Sequence, residues 1–170
     1  MHALIAGLVL LGAAIQAGSL AYTTPPAWKS RPAASLMRVA EFVLPRAQGD
    51  AEDAEVVIFF FAGGGGSVEA NIQRWTGQFE ASGGGPAKPL GRTSFSVGPL
   101  KVTTVDVNGT YVAETRPGSG QRLNKPKFAM RAAVVETPRG PYFIKLTGPQ
   151  ATVTQSLPVF DSFLKSLTYK

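Results

Sequence analysis

The sequence predicts an α+β fold, a three-layer α/β/α sandwich in which a mostly antiparallel sheet lies between two amphipathic helices. The segment 55–62 (EVVIFFFA) is apolar at successive positions, which indicates a strand covered on both faces. Two hairpin patterns, over 92–113 and 128–147, supply antiparallel partners for it. Apolar residues recur with helical periodicity over 68–79 and 153–167, which predicts the two helices.

The N-terminus has the pattern of a secretory leader. An apolar run is followed by small residues, with Ser19 and Ala21 at the −3 and −1 positions of a cleavage site. We therefore expect a signal peptide over 1–21 and a single globular domain over 22–170, with cleavage after Ala17 as the alternative. The protein is then exported, to the periplasm or the cell exterior, and an uncleaved leader would leave it tethered to the membrane.

The composition excludes several classes of enzyme. There is no cysteine, and the only histidine, His2, lies in the predicted leader. The commonest general base, metal ligand and sulfur nucleophile are therefore missing from the predicted domain, and we expect no catalytic residues, no metal and no cofactor. Charge is uneven: residues 22–86 carry five basic and seven acidic side chains (net −2), and 87–170 carry twelve and four (net +8). The basic residues are dispersed, so we prefer a solvated surface to a polyanion site.

Local signals place the elements of the first half. Trp28 lies in a proline-rich entry segment and is predicted to plug the core. Residues 36–44 favour a strand, and an exposed acidic loop follows over 45–54. Ser67 is a suitable N-cap for the middle helix, with Glu69 in the first turn where the helix dipole favours an acid.

Turn sequences predict where the strands of the second half begin and end. Gly98-Pro99 closes the first hairpin, and Thr137-Pro138-Arg139-Gly140 closes the second as a type I turn. Between the hairpins, 114–127 is predicted to be a long basic loop. In the last helix, Pro158 is expected to kink or restart the helix, with Ser156 available as a cap.

Several segments together resemble a group of uncharacterised exported bacterial proteins with the PsbP/Mog1-like fold. They are the proline-rich entry with Trp28, the strand MRVAEFVLP, the helix opening GGGGSVEANIQRW, and GPYFIKLTGP before the final FDSFLKSLTY. The resemblance covers Tyr22 to Tyr169 and is most specific over 59–75 and 134–167. It implies a three-layer sandwich and an accessory role, because PsbP-type proteins dock on a photosystem and Mog1-type proteins bind a small GTPase. It implies no catalytic residue, and no photosystem contact is matched here.

A glycine run between the buried strand and the capped helix is the sharpest local motif. Its backbone N–H groups could face an anion, although neither the P-loop nor the dinucleotide-binding pattern is completed. A flexible turn is the interpretation we prefer. Arg74, beside Trp75, could add a cation to such a site or be an ordinary exposed arginine. The candidate ligand site therefore comprises Gly63, Gly64, Gly65, Gly66, Ser67 and Arg74.

The basic loop is the candidate for a polyanion patch, although a solvated loop is the favoured interpretation. Export argues against nucleic acid as its partner. The residues of this patch are Arg116, Arg122, Lys125 and Lys127.

Catalytic and metal motifs are weak. The acids of 50–55 lack the spacing of a calcium loop. Asp106 and Glu136 are the only acids within the two predicted hairpins, so a carboxylate-based hydrolase would depend on them. We therefore predict, first, a non-enzymatic exported domain that docks on an envelope component through a protein partner. A small-anion or polyanion binder is the alternative, and the hydrolase is the least favoured.

Overall fold

The computed structural model describes residues 15–17 and 20–170. Its elements follow the order that the sequence predicts, with additional short strands near the two ends and one directly after the middle helix. They are β1 (Ile15–Ala17), β2 (Leu20–Tyr22), β3 (Lys29–Arg31), β4 (Arg38–Leu44), β5 (Ala54–Phe60), α1 (Val68–Thr76), β6 (Phe79–Glu80), β7 (Gly91–Val97), β8 (Leu100–Tyr111), β9 (Lys125–Glu136), β10 (Tyr142–Pro149), α2 (Gln150–Lys165) and β11 (Thr168–Tyr169).

One large sheet forms the middle layer. Its eight strands run in the order β3-β4-β5-β10-β9-β8-β6, with β7 also paired to β8, and the pairings are antiparallel. A small sheet, β1-β2-β11, joins the two ends of the described chain. The predicted α+β fold with an antiparallel central sheet is confirmed.

Alternation along the strands divides the core between the two faces of the sheet. On β5, Val56 and Ile58 pack in the cluster that contains α2, whereas Phe59 packs in the cluster that contains α1. Trp28 is buried in the α2 cluster, where its ring contacts Phe160 and Phe163 of α2, so its predicted role as a plug is confirmed. Each helix therefore covers one face of the same sheet.

The middle helix is shorter than its apolar pattern predicts. Ser67 is the N-cap, as predicted, and its Oγ accepts from the Ala70 N–H at 3.1 Å. The helix ends at Thr76 with Gly77 as its C-cap, and Phe79 belongs to the next strand. The periodicity runs past the helix end because Phe79 faces the same core from β6.

The predicted restart of the last helix at Pro158 is wrong. Helix α2 continues through Pro158, and Ser156 lies inside it, where its hydroxyl donates to the Thr152 carbonyl at 2.8 Å. The N-terminal end is instead capped from the acidic loop, because Asp50 Oδ2 accepts from the Thr152 N–H at 2.9 Å. An acid that the sequence assigns to an exposed loop therefore fixes the start of α2.

The predicted leader falls largely outside the described residues, which exclude 1–14 and 18–19. Leu20 and Tyr22 are buried in β2, and β2 pairs with β11 at the other end of the chain. The position of cleavage stays a prediction. Among the helices that the structure describes, none has the length and apolar character needed to cross a bilayer.

Candidate functional site

A cleft of about 570 Å³ opens on the α1 face of the sheet. Aromatic side chains form much of its lining: Phe59 lies in β5, Phe61 directly after it, Phe143 in β10 and Trp75 in α1. Helix α1 has only nine residues, so it leaves part of this face to be covered by the segment 112–117 after β8. The cleft lies where that cover is incomplete.

Lys145 lies in this cleft, at a position of β10 between strand neighbours Val57 and Ala132. The side chain is partly buried, and its Nζ donates to Gln78 Oε1 at 3.0 Å. Burial lowers the pKa of this ammonium from its ordinary 10.5 to about 8. Glu55 opposes that change, and the arginines 38 and 74 reinforce it.

Three arginines add positive charge to the cleft. Arg38 lies over the Phe59 ring at 5.5 Å and also pairs with Glu41 at 3.1 Å. Arg74 donates to the Asn71 side chain, and it forms no ion pair with any residue that the structure describes. Arg116 is exposed, and it too forms no ion pair within the described part of the chain.

Among the described residues, Glu114 is the one acid that lines this cleft, and its carboxylate is already hydrogen-bonded. Glu114 Oε2 accepts from the Gly118 N–H at 2.7 Å, within the loop after β8. The cations of the cleft therefore exceed its acids. Aromatic walls beside unpaired cations form a surface that suits a ligand with an apolar part and a negative charge.

The glycine run turns the chain from β5 into α1. Gly65 has φ +93°, and a Cβ there would lie 2.9 Å from the Phe143 ring, so this position needs glycine for close packing. The Asn71 amide nitrogen donates to the carbonyls of Gly65 and Ser67 at 2.7 and 2.8 Å. The run thus positions α1 against an aromatic wall of the cleft. Anion binding at residues 63–67 stays a prediction, whereas Arg74 does lie in the cleft.

The predicted basic loop is partly a strand, because β9 already begins at Lys125 and contains Lys127. Lys125 pairs with Glu52 at 2.6 Å, and its Nζ also lies over the Phe128 ring. Arg122 Nε donates to the Val112 carbonyl at 2.9 Å. Two of the four basic residues are therefore engaged within the protein, and Arg116 alone of the four reaches the cleft. The polyanion patch stays a prediction.

The two candidate carboxylates are not brought together. Asp106 pairs with Arg131, which also binds Asp161 of α2 at 2.8 Å. Glu136 lies at the end of β9 opposite Lys101, five positions along β8 from Asp106 and on the other face of the sheet. No cluster of three acids or histidines that could hold a metal ion occurs within 15–17 and 20–170.

Lys145 is the feature that the sequence analysis missed. A signal was present, because Lys145 is the one charged residue in the strand YFIKLTGP, whose other positions are mostly apolar. A charged side chain at a strand position that faces a layer of helix is unusual without a partner. The missing information was that α1 is too short to cover it.

Solved structures match this chain, although no protein-family model and no curated protein does. It is similar to the Ran-binding protein Mog1p of Saccharomyces cerevisiae, with a TM-score of 0.56 and 10% identity over 92% of this chain and 93% of that one. It is similar to cyanobacterial PsbP (CyanoP) of Synechocystis sp. PCC 6803, with a TM-score of 0.55 and 11% identity over 89% and 87%. LpqN of Mycobacterium tuberculosis, involved in cell envelope biogenesis, gives a TM-score of 0.51 and 11% identity over 88% and 82%. The predicted PsbP/Mog1-like fold is therefore confirmed, and identities this low show the fold alone.

Proposed function

We propose that this protein is an exported accessory domain that binds a component of the cell envelope through the cleft on the α1 face, without catalysing a reaction on it. The observation that carries the proposal is the pairing of aromatic walls with cations that lack carboxylate partners. Binding sites combine an apolar lining with a few convergent polar groups in this way. The leader pattern supports export, and the similarity to LpqN supports a role in the envelope.

The chemistry of the cleft supports binding rather than catalysis. A lysine with a lowered pKa can act as a nucleophile, which usually requires a group that relays its proton. The hydrogen-bond partner of Lys145 is the Gln78 amide, which is neither an acid nor a base. Glu114, the acid of the cleft, is held by a backbone N–H. An ammonium ion fixed by an amide is suited to holding an anion.

Protein partnering is also compatible with the surface beside the cleft. Leu36 is fully exposed and Met37 is 54% exposed, and Met37 lines the cleft. Exposed apolar side chains next to a cationic cleft are a feature of interaction surfaces. Mog1p, which shares the fold, is a Ran-binding protein.

Photo-crosslinking in the producing cell tests this proposal. A photo-reactive amino acid is placed at Arg116, on the rim of the cleft, and as a matched control at Lys165, which is exposed on the helix of the opposite face. We expect a discrete adduct, identified by mass, from position 116 and none from position 165. Identical products from both positions, or no product from position 116, would contradict the proposal.

A further inference from the structure

The cleft contains a partly buried ammonium group, that of Lys145, which has no ion-pair partner among the described residues. Lys145 occupies a position between Val57 and Ala132, where an apolar side chain would pack against the aromatic residues of the α1 face. Its nearest hydrogen-bond partner is uncharged. Burying a charge without an ion-pair partner destabilises a protein, and groups perturbed in this way cluster at functional sites, so Lys145 is a candidate for contact with a ligand.

The charged and titratable groups around Lys145 come from every element packed against it. They are Arg38 from β4, Glu55 from β5, Arg74 from α1, Tyr111 from β8, and Glu114 and Arg116 after β8. Glu55 is paired with Arg31, and Glu114 accepts from a backbone N–H. Neither acid forms an ion pair with Lys145 in the described part of the chain. The Lys145 ammonium therefore has no ion-pair partner among the described residues, and Arg74 and Arg116 lie nearer the solvent.

One wall of the cleft is aromatic. Trp75 and Phe143 are buried, whereas Phe59 and Phe61 are only half-buried and present part of their rings to the open space. The rings pack on one another, with Phe61 5.5 Å from Phe143 and Trp75 5.6 Å from Phe143 between centroids. A rigid aromatic lining of this kind binds an apolar body with little loss of side-chain entropy.

From these observations we propose that the cleft binds a small amphiphilic carboxylate, an aliphatic chain with one anionic end, with the carboxylate on Lys145 and the chain against the aromatic walls. The proposal rests on the proposed function in using the same cleft, and it names the chemistry of the bound group. One carboxylate matches the single inward ammonium, and a volume of about 570 Å³ suits a molecule of this size. Arg74 and Arg116 raise the local concentration of anions at the opening.

Calorimetric titration of the purified protein with three ten-carbon probes of different charge tests the inference. The probes are decanoate, decanol and decyltrimethylammonium; the two ionic probes are kept below their micelle concentrations and decanol below its solubility limit. At pH 7 we expect decanoate to bind at least about tenfold more tightly than decanol, because a charge-assisted bond is made only by the carboxylate. Decyltrimethylammonium should not bind detectably. Equal affinity for decanoate and decanol would overturn the inference without requiring any variant.

Variants then locate the carboxylate. K145Q should weaken decanoate binding at least about tenfold and leave decanol within about twofold. K165Q, which removes a lysine on the opposite face, should change neither. The wild-type affinity for decanoate, which stays ionised, should fall by up to about tenfold between pH 7 and pH 9 as Lys145 loses its proton, and K145Q should lack this dependence. A K145Q protein that binds decanoate like the wild type would refute the assignment.

The outcomes separate this inference from the proposed function. A discrete crosslinked adduct from the rim of the cleft without decanoate binding would leave the proposed function standing and refute the carboxylate. Decanoate binding that depends on Lys145, without any crosslinked adduct, would support the carboxylate and refute the proposed function.

Discussion

Replacement of Lys145 by methionine should stabilise the protein at neutral pH. Methionine has nearly the length of lysine and carries no charge, and its flexible thioether adapts to irregular apolar surroundings. The lost hydrogen bond leaves Gln78, which is half-exposed and can turn its amide to water. The main change is therefore the removal of an ammonium group from a partly buried site.

The magnitude follows from the pKa of Lys145, which burial lowers from 10.5 to about 8. One pKa unit corresponds to about 1.4 kcal/mol, so at pH 7 the charged form costs up to about 3 kcal/mol of folding free energy. Between pH 8 and 10.5 the unfolded chain binds more protons at this residue than the folded chain does. Wild-type stability therefore rises with pH over that range relative to K145M, and the advantage of K145M should shrink towards zero.

Urea unfolding of wild type, K145M and the control K165M at pH 7, 9 and 10.5 measures this difference. Other titrating groups are common to the three proteins, so their contributions cancel when variants are compared at one pH. We expect K145M to be more stable by about 2 to 3 kcal/mol at pH 7, and K165M to match wild type within about 0.5 kcal/mol. No gain at pH 7, or a gain that does not change with pH, would refute the reasoning.

Three further changes test other parts of the structure by urea unfolding. G65A should lower the free energy of unfolding by about 1 to 3 kcal/mol, because the new Cβ would lie 2.9 Å from an aromatic ring and φ at this position is +93°. The control G64A should leave stability unchanged, because a Cβ there has no neighbour within 4 Å. E41Q should lower the free energy of unfolding by about 3 kcal/mol at pH 7, because it removes a buried carboxylate that is hydrogen-bonded to two arginines. Those hydrogen bonds hold the pKa of Glu41 below 4.5 although burial opposes them, so the loss of stability should shrink as the pH falls below 4.5. A chain that starts at Tyr22 should be about 2 to 3 kcal/mol less stable than one that starts at Gly18, because it lacks a core leucine. Equal stabilities in any pair would contradict the packing described.

Much of the fold was accessible from the sequence, because each layer leaves a local pattern. The strand around Val56 to Ile58 is buried on both faces, and the cap at Ser67 and the turn at Gly140 lie where their residue types predict. The errors came where distant residues compete with a local rule. Pro158 stays within its helix, and Asp50, not Ser156, caps the start of that helix. No local pattern contains the contact between Asp50 and Thr152, which are 102 residues apart in the chain.

The candidate site was harder to predict from the sequence, because the cleft exists only where α1 and the segment after β8 leave part of the sheet uncovered. From the sequence, the aromatic residues of β5 and α1 are predicted to lie in the core, and Lys145 is the one charged residue of an otherwise mostly apolar strand. Only the end of α1 at Thr76, and the path of the segment after β8, determine which of these residues remain open to solvent. Arg74 was identified as a candidate beside the glycine run, and in the structure it also lines the cleft.

The stability and binding measurements on Lys145 constrain each other. A bound carboxylate can recover at most the free energy that burial of the ammonium costs, together with the direct attraction between the two charges. If K145M gains about 3 kcal/mol at pH 7, recovery of that cost alone would correspond to a factor of about 100 in affinity for an anionic ligand. A large gain in stability combined with no loss of decanoate binding would then mean that the charge destabilises the fold without contributing to recognition. A small gain combined with a large loss of binding would mean that water reaches the ammonium in the free protein and that the ligand displaces it.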